Sequence, residues 1–417
     1  MSSSSRGALR SLRNHNYRLW AAGALISNIG TWTQRTAQDW LVLTQLTHAN
    51  GTAVGIVMAL QFGPQLLLLP LTGLAADHLD RRKLLLFTQA SMGALALGLG
   101  LLTVFGVVQL WHVYAFAFLL GCVSAFDAPA RQTFVTELVG RAELSNAVAL
   151  NSTSFQAGRM IGPAVAGVVI AAVGSGWLFI FNAISFAAVL AALSLLRVGE
   201  LHRDERAALT RAGMPEGLAY VRRRPELMVV LTMLFLVATF GLNFPIFIST
   251  MAVSVFHVGA HEYGLLSSMM ALGSITGALL SARRQQPRLA ILLAGAAAFG
   301  IGCASAALMP SYWLFGDALV AVGIASQTFM TTANSIVQLS TDAQMRGRVM
   351  AIYLAIALGS TPIGAPIVGW VADAFGPRWA LAIGAAAGIA AAAIGARYLA
   401  RQRRLAVVGT GAAGADD

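Results

Sequence analysis

Charge is what this sequence has least of. Only 11% of its 417 residues are Asp, Glu, Lys or Arg, and 57% are apolar, whereas average soluble chains are roughly 25% charged. No water-exposed surface can be built from that composition, so a soluble domain is excluded, together with disorder, collagen and coiled coil. Lysine is nearly missing: among 28 basic residues the one lysine is Lys83, and Leu84 follows it. A phosphate-cradling loop needs Ser or Thr after its lysine, so ATP hydrolysis is not expected. The two cysteines, Cys122 and Cys303, both lie in apolar runs, where a thiol acts as a small hydrophobe; neither a disulfide nor a metal site is expected. No His–carboxylate cluster has metal-ligand spacing and no nucleophile sits in a recognisable elbow, so an enzyme is not expected. A net charge of +11 would point to nucleic acid only if the arginines shared one solvated face. They are scattered in short clusters, and no nucleic-acid partner is expected.

What the chain does have is long apolar runs. A bilayer core about 30 Å thick takes about 20 helical residues. Cutting at charge clusters and turn residues gives twelve spans, near residues 17–45, 52–76, 84–107, 112–130, 145–172, 177–196, 227–253, 262–282, 289–308, 312–332, 347–371 and 377–398. The start, with Arg6, Arg10, Arg13 and Arg18 ahead of a long first span, lacks the short apolar core and small-residue cleavage site of a signal peptide, so the first span is expected to stay in the membrane. Basic residues are retained in short cytoplasmic loops. With both termini cytoplasmic, 25 of the 28 fall on the inner side, leaving Arg35 and Arg159 within spans and Arg378 outside. The positive charge is then a topology signal. The expected organisation is a cytoplasmic segment 1–16, a six-helix bundle 17–196, a cytoplasmic linker 197–226 with an amphipathic helix over Glu216–Arg224, a second six-helix bundle 227–400 and a cytoplasmic tail 401–417.

The two bundles repeat. A single offset of 202 residues pairs Trp111 with Trp313, Trp177 with Trp379, Gly121 with Gly323, Gly162 with Gly364, Gly167 with Gly369, Gly174 with Gly376 and Arg81-Arg82 with Arg283-Arg284. Two coincident tryptophan pairs among eight tryptophans are improbable by chance. Six spans plus six in parallel repeat is the plan of a transporter whose halves rock about a site near the bilayer midplane.

Three segments carry a resemblance to a known family. Gly73-Leu74-Ala75-Ala76-Asp77-His78-Leu79-Asp80-Arg81-Arg82-Lys83, between spans 2 and 3, resembles the Gly-x-Leu-Ala-Asp-Arg-x-Gly-Arg-Arg/Lys loop of the major facilitator superfamily, with Ala75, His78 and Asp80 departing from its commonest form. Gly158-Arg159-Met160-Ile161-Gly162-Pro163-Ala164-Val165-Ala166-Gly167 in span 5 is similar to its antiporter signature, with Ala166 in place of the penultimate glycine. Pro129 to Val139, Leu144 to Ala147 and Asn151-Ser152 resemble the branch containing bacterial macrolide and multidrug exporters and the enterobactin exporter. The resemblance covers residues 14–404. It implies an all-α polytopic protein of twelve transmembrane helices in two six-helix bundles related by a pseudo-twofold axis. It also implies efflux of amphipathic small molecules from a bacterial inner membrane, powered by a proton gradient without a cofactor, by a monomer. A dedicated exporter of an endogenous metabolite such as a siderophore, or an uncoupled facilitator, is the alternative. Gly73, Asp77, Arg81, Arg82 and Asp127 would form a conformational latch, with Asp127 beside Arg81. Gly158, Gly162, Pro163 and Gly167 would give a bent, closely packed span 5 that limits leak.

Polar residues inside spans are costly and mark candidate sites. Asn28, Trp32, Arg35 and Asp39 recur at four, three and four residues along span 1, one helical stripe with Gln38 beside it. Arg35 and Asp39, one turn apart, can pair. Arg159 has no acidic neighbour at three or four residues, so it needs a partner elsewhere or a watery cavity. Asp39 is the first candidate for the proton carrier and Asp317 the second. Asn151, Gln156, Asn243 and Gln327 are further candidates for the substrate cavity.

Overall fold

The computed structural model describes residues 10–68, 71–72, 79–202, 214–282, 287–342 and 344–413. Every regular element among them is helical. The first bundle is α1 (His15–Leu41), α2 (Gly51–Leu67), α3 (Arg81–Val104), α4 (Leu110–Gly140), α5 (Glu143–Val173) and α6 (Ser175–Ser194). A short helix α7 (Met214–Arg223) precedes the second bundle of α8 (Pro225–Val255), α9 (Ala260–Ala282), α10 (Leu289–Leu308), α11 (Tyr312–Leu339), α12 (Arg346–Phe375) and α13 (Pro377–Ala413). Ten of these are long and apolar enough to cross a bilayer. Completing the first set of six are α1, whose 27 residues carry a polar stripe, and α2, a shorter apolar helix of 17 residues. The twelve-span, two-bundle major facilitator fold expected from sequence is what the chain adopts.

Helix starts are set by side chains that satisfy the orphan backbone donors of the first turn. Asn14 caps α1 by accepting from Tyr17 N, Asn50 caps α2 from Ala53 N, and Asp80 caps α3 from Lys83 N at 3.1 Å. Asp80, the family departure, is therefore a helix cap. Chain reversals at one end use Gly174 (φ 89°) and Gly376 (φ 102°), an L-residue-poor conformation at positions 202 apart. The four tryptophans that reveal the repeat, Trp111, Trp177, Trp313 and Trp379, are exposed by 44–66%. They start α4, α6, α11 and α13 at the same end of the molecule, where an aromatic belt marks a membrane interface. That end is arginine-poor, and the arginine clusters lie at the opposite one.

Three boundaries depart from expectation. The connection between spans 4 and 5 is helical, with α4 running ten residues past the expected end and a break at Gly140 (φ 66°). The cause is an apolar face: Phe134, Val135, Leu138 and Val139 are buried against Tyr17, Trp20 and Leu85, with Phe134 edge-on to Trp20 at 5.5 Å. The eleventh helix likewise runs to Leu339, and the last one continues to Ala413, into the expected tail. The expected amphipathic linker helix exists, but it docks on the N-terminal end of α12. Arg348 pairs with Glu216, and Asp342 accepts from Tyr220 at 2.9 Å and Arg224 at 3.0 Å.

Candidate functional site

The span-5 motif places the site. A Cβ at Gly158 would lie 2.8 Å from the carbonyl carbon of Asn28, and one at Gly162 would lie 2.6 Å from Trp32 Cβ, so only glycine lets α5 rest on α1. Thr33 closes the contact by donating to Gly162 O at 3.2 Å. Between these glycines stands Arg159, whose guanidinium carbon lies 5.7 Å from the Trp32 ring, while that of Arg35 lies 5.0 Å from the same ring and 5.5 Å from Phe62. Pro163 lacks an N–H, so the carbonyl four residues back, that of Arg159 itself, is freed from the helix ladder.

Two connected cavities follow. One of about 220 Å³ is lined by Trp32, Arg35, Asp39, Gln61, Arg159 and Tyr263, with Phe244, Ser267 and Thr361 among its other walls. The other, about 470 Å³, shares Arg159, Leu242 and Phe244 with the first and continues along Gln327, Thr331, Asn334 and Tyr353 toward the arginine-rich end. Both lie between the bundles. Tyr263, from the second bundle, stacks on Trp40 of the first at 5.7 Å and lines the same cavity as Asp39. Arg35 and Asp39 face the same cavity, yet among the described residues no ion pair joins them; the guanidinium spends itself on the two aromatic rings.

Trp32, Arg35, Asp39, Arg159 and Gln327 thus come together as cavity residues. Asn28 is bound to Ser154 Oγ at 3.0 Å, and Asn243 is fully buried, donating to Thr239 O at 2.7 Å. Gln38 is buried, and Asn151 and Gln156 are half-buried; none of these five lines either cavity. Asp317 is exposed on α11 outside both. The residues missed from sequence are Tyr263, Phe244, Gln61, Asn334 and Tyr353: ordinary polar or aromatic positions, with no charge or spacing to single them out.

The arginine-poor end is sealed by two equivalent crossings. A Cβ at Gly167 would meet Ala260 O at 2.7 Å, and Gly264 packs on Pro163 O; in the other pair Gly369 packs on Gly51 O and Gly55 on Ala365 O. Positions 163 and 167 of α5 and 365 and 369 of α12 are 202 apart, so the sequence repeat is realised as a paired seal between the bundles. One crossing is reinforced. Asp373 of α12 accepts from Gly51 N at 2.6 Å, Thr52 N at 2.8 Å and Thr52 Oγ1 at 2.5 Å, satisfying N–H groups of the first turn of α2 that have no partner within the helix.

At the arginine-rich end, Gly73 and Asp77 of the expected latch lie outside the described residues. Arg81 pairs with Glu137 at 2.8 Å, in place of the expected Asp127. The reason is register: α3 and α4 run antiparallel, and Asp127 sits beside Thr88 and Gln89, which donate to it at 2.8 and 2.7 Å, while Arg131 pairs with it at 3.1 Å. Ten residues further, on the helical extension beyond the expected end of span 4, Glu137 is level with Arg81. Arg82 donates to Leu193 O at 2.9 Å.

Comparison with known proteins agrees with this architecture. The family model described as transmembrane secretion effector matches residues 6–406. The chain is 27% identical to the multidrug efflux pump Tap of Mycolicibacterium fortuitum, over 85% of this chain and 88% of that protein. It is 27% identical to the staphyloferrin A transporter of Staphylococcus aureus, over 84% and 87%, and 25% identical to the enterobactin exporter EntS of Shigella flexneri, over 78% of each. Among solved structures, a bacterial homolog of the human lysosomal transporter Spinster, inward-facing and occupied, matches with a TM-score of 0.73 at 15% identity, over 93% of this chain and 97% of that one. Two six-helix bundles sealed at one end over a shared cavity, with these motifs and relatives, establish that the chain belongs to the transmembrane secretion effector family of the major facilitator superfamily.

Proposed function

We propose that this protein exports amphipathic small molecules from the cytoplasm across the bacterial inner membrane, in exchange for protons, by alternating access. The observation that carries the reading is the placement of Asp39 of the first bundle and Tyr263 of the second on the walls of one cavity, where Tyr263 also stacks on Trp40 of the first. A carboxylate in a cavity walled by two bodies that move apart changes its surroundings with each cycle, which is what coupling a proton to a conformational change requires. The aromatic walls Trp32, Phe62 and Phe244 suit the apolar part of a solute. Taking the arginine-rich end as cytoplasmic, with both termini there, the sealed end faces out and the larger cavity faces in, the state that loads an export substrate. The proton gradient supplies the energy, no bound cofactor or enzymatic step is involved, and the unit is a monomer. A dedicated exporter of one endogenous metabolite fits the same geometry, with the same test.

Purified protein in liposomes holding an interior pH dye is given a proton gradient and a panel of cationic, neutral and anionic amphiphiles. Compound-dependent proton flux that Asp39→Asn abolishes is the expected outcome. Flux of a compound with no proton movement would make the protein a facilitator and refute the exchange.

A further inference from the structure

The two guanidinium groups of the cavity are the charges in it that protein leaves least neutralised. The charged lining consists of Arg35, Arg159 and Asp39, a formal excess of one positive charge. Arg159 has neither an ion pair nor a side-chain hydrogen bond among the described residues. It shares the Trp32 ring with Arg35, the two guanidinium carbons being no more than about 11 Å apart, the sum of their distances to that ring. Holding two like charges in a membrane-depth cavity is costly, and a cation–π contact offsets only about 0.5–2 kcal/mol. Arg159 is also where the two cavities meet, and the larger one beyond it is neutral and polar, through Ser326, Gln327, Thr331 and Asn334.

From these positions we infer that the preferred substrate carries an anionic group, carboxylate or sulfonate, seated at Arg159 with its ring against Trp32 and Phe244. The inference rests on the export reading and names the substrate class of the same site. A guanidinium offers such a group two parallel hydrogen bonds, and Arg159 has its donors uncommitted. An exported anion also moves with the membrane potential, inside negative, which contributes about 2.3 kcal/mol per charge per 100 mV. A protonated Asp39 is neutral and no longer repels an anion, so exchange would arise from the movement of the bundles that wall the cavity around Asp39 and Tyr263 and not from competition for one charge.

The test is binding by the purified full-length protein of three matched probes: 2-naphthalenesulfonate, 2-naphthalenesulfonamide and 2-naphthylmethylammonium. Binding is read by competition-controlled saturation-transfer NMR. The sulfonate is expected to bind at least about tenfold more tightly than the amide, as for a hydrogen bond to a charged partner, and the ammonium more weakly than both. Arg159→Gln removes the sulfonate's advantage over the amide and Arg159→Lys retains part of it, with the fold of each variant checked separately by its thermal unfolding. Equal affinity for the three, preference for the ammonium, or binding by none of them overturns the inference. Transport of cations in liposomes together with failure of the sulfonate would leave the export reading intact; sulfonate binding without any flux would do the reverse.

Discussion

Removing the Asp373 carboxylate should loosen the seal at the arginine-poor end without unfolding the chain. Asp373 accepts three hydrogen bonds from the first two residues of α2, and α2 keeps its own cap, Asn50 Oδ1 accepting from Ala53 N at 2.8 Å. The helix therefore still forms in Asp373→Ala, and what is lost is a contact between bundles. A charge at a helix N-terminus contributes 0.3–1 kcal/mol at an exposed site, and a lost cap about 1 kcal/mol. Asp373 is exposed, so about 1–2 kcal/mol in total is the reasonable size, a shift of about 5- to 30-fold in the sealed-to-open ratio. Spin labels on Val107→Cys and Leu308→Cys, exposed positions at that end of the first and second bundles, report the ratio by pulsed electron resonance in nanodiscs, in a background with Cys122 and Cys303 replaced by alanine. Asp373→Ala should move population to the longer distance and Asp373→Asn should do so less. An unchanged distance distribution in Asp373→Ala would refute the argument that this carboxylate holds the seal.

Two further outcomes follow from the same geometry. Gly369→Ala puts a methyl group into Gly51 O, an overpacking cost of about 1–3 kcal/mol borne only in the sealed state, so the same labels should report an opened end and thermal unfolding should shift little; a lowered melting temperature with an unchanged distance would count against it. Asp317→Asn, exposed outside both cavities, should retain proton-coupled export in liposomes, and loss of coupling there would return Asp317 to the candidates.

Sequence legibility varied by residue, for physical reasons. The tenth helix, Leu289–Leu308, begins and ends where its apolar run does, because in a bilayer the run is the structure. The stripe Trp32, Arg35 and Asp39 was readable because helical spacing puts these residues on one face, and Arg159 because a lone charge in an apolar span needs a reason. Arg35 and Asp39, which their spacing would let pair, form no ion pair among the described residues, and the Arg35 guanidinium lies over the Trp32 and Phe62 rings. Arg81 met Glu137 rather than Asp127 because register between antiparallel helices is a property of two segments together.

By itself, then, the sequence determined which segments enter the membrane, that there are two alike sets of six, and which charges remain among them. Those features follow from local hydropathy and periodicity, which each segment carries alone. Only the tertiary structure decided that Tyr263 and Asp39 wall one cavity, that Arg159 stands at the junction of two cavities, and that Asp373 holds the start of α2. Each of these joins residues more than one hundred positions apart, brought together by glycine-mediated contact between helices. No local pattern records which backbone a given glycine will meet.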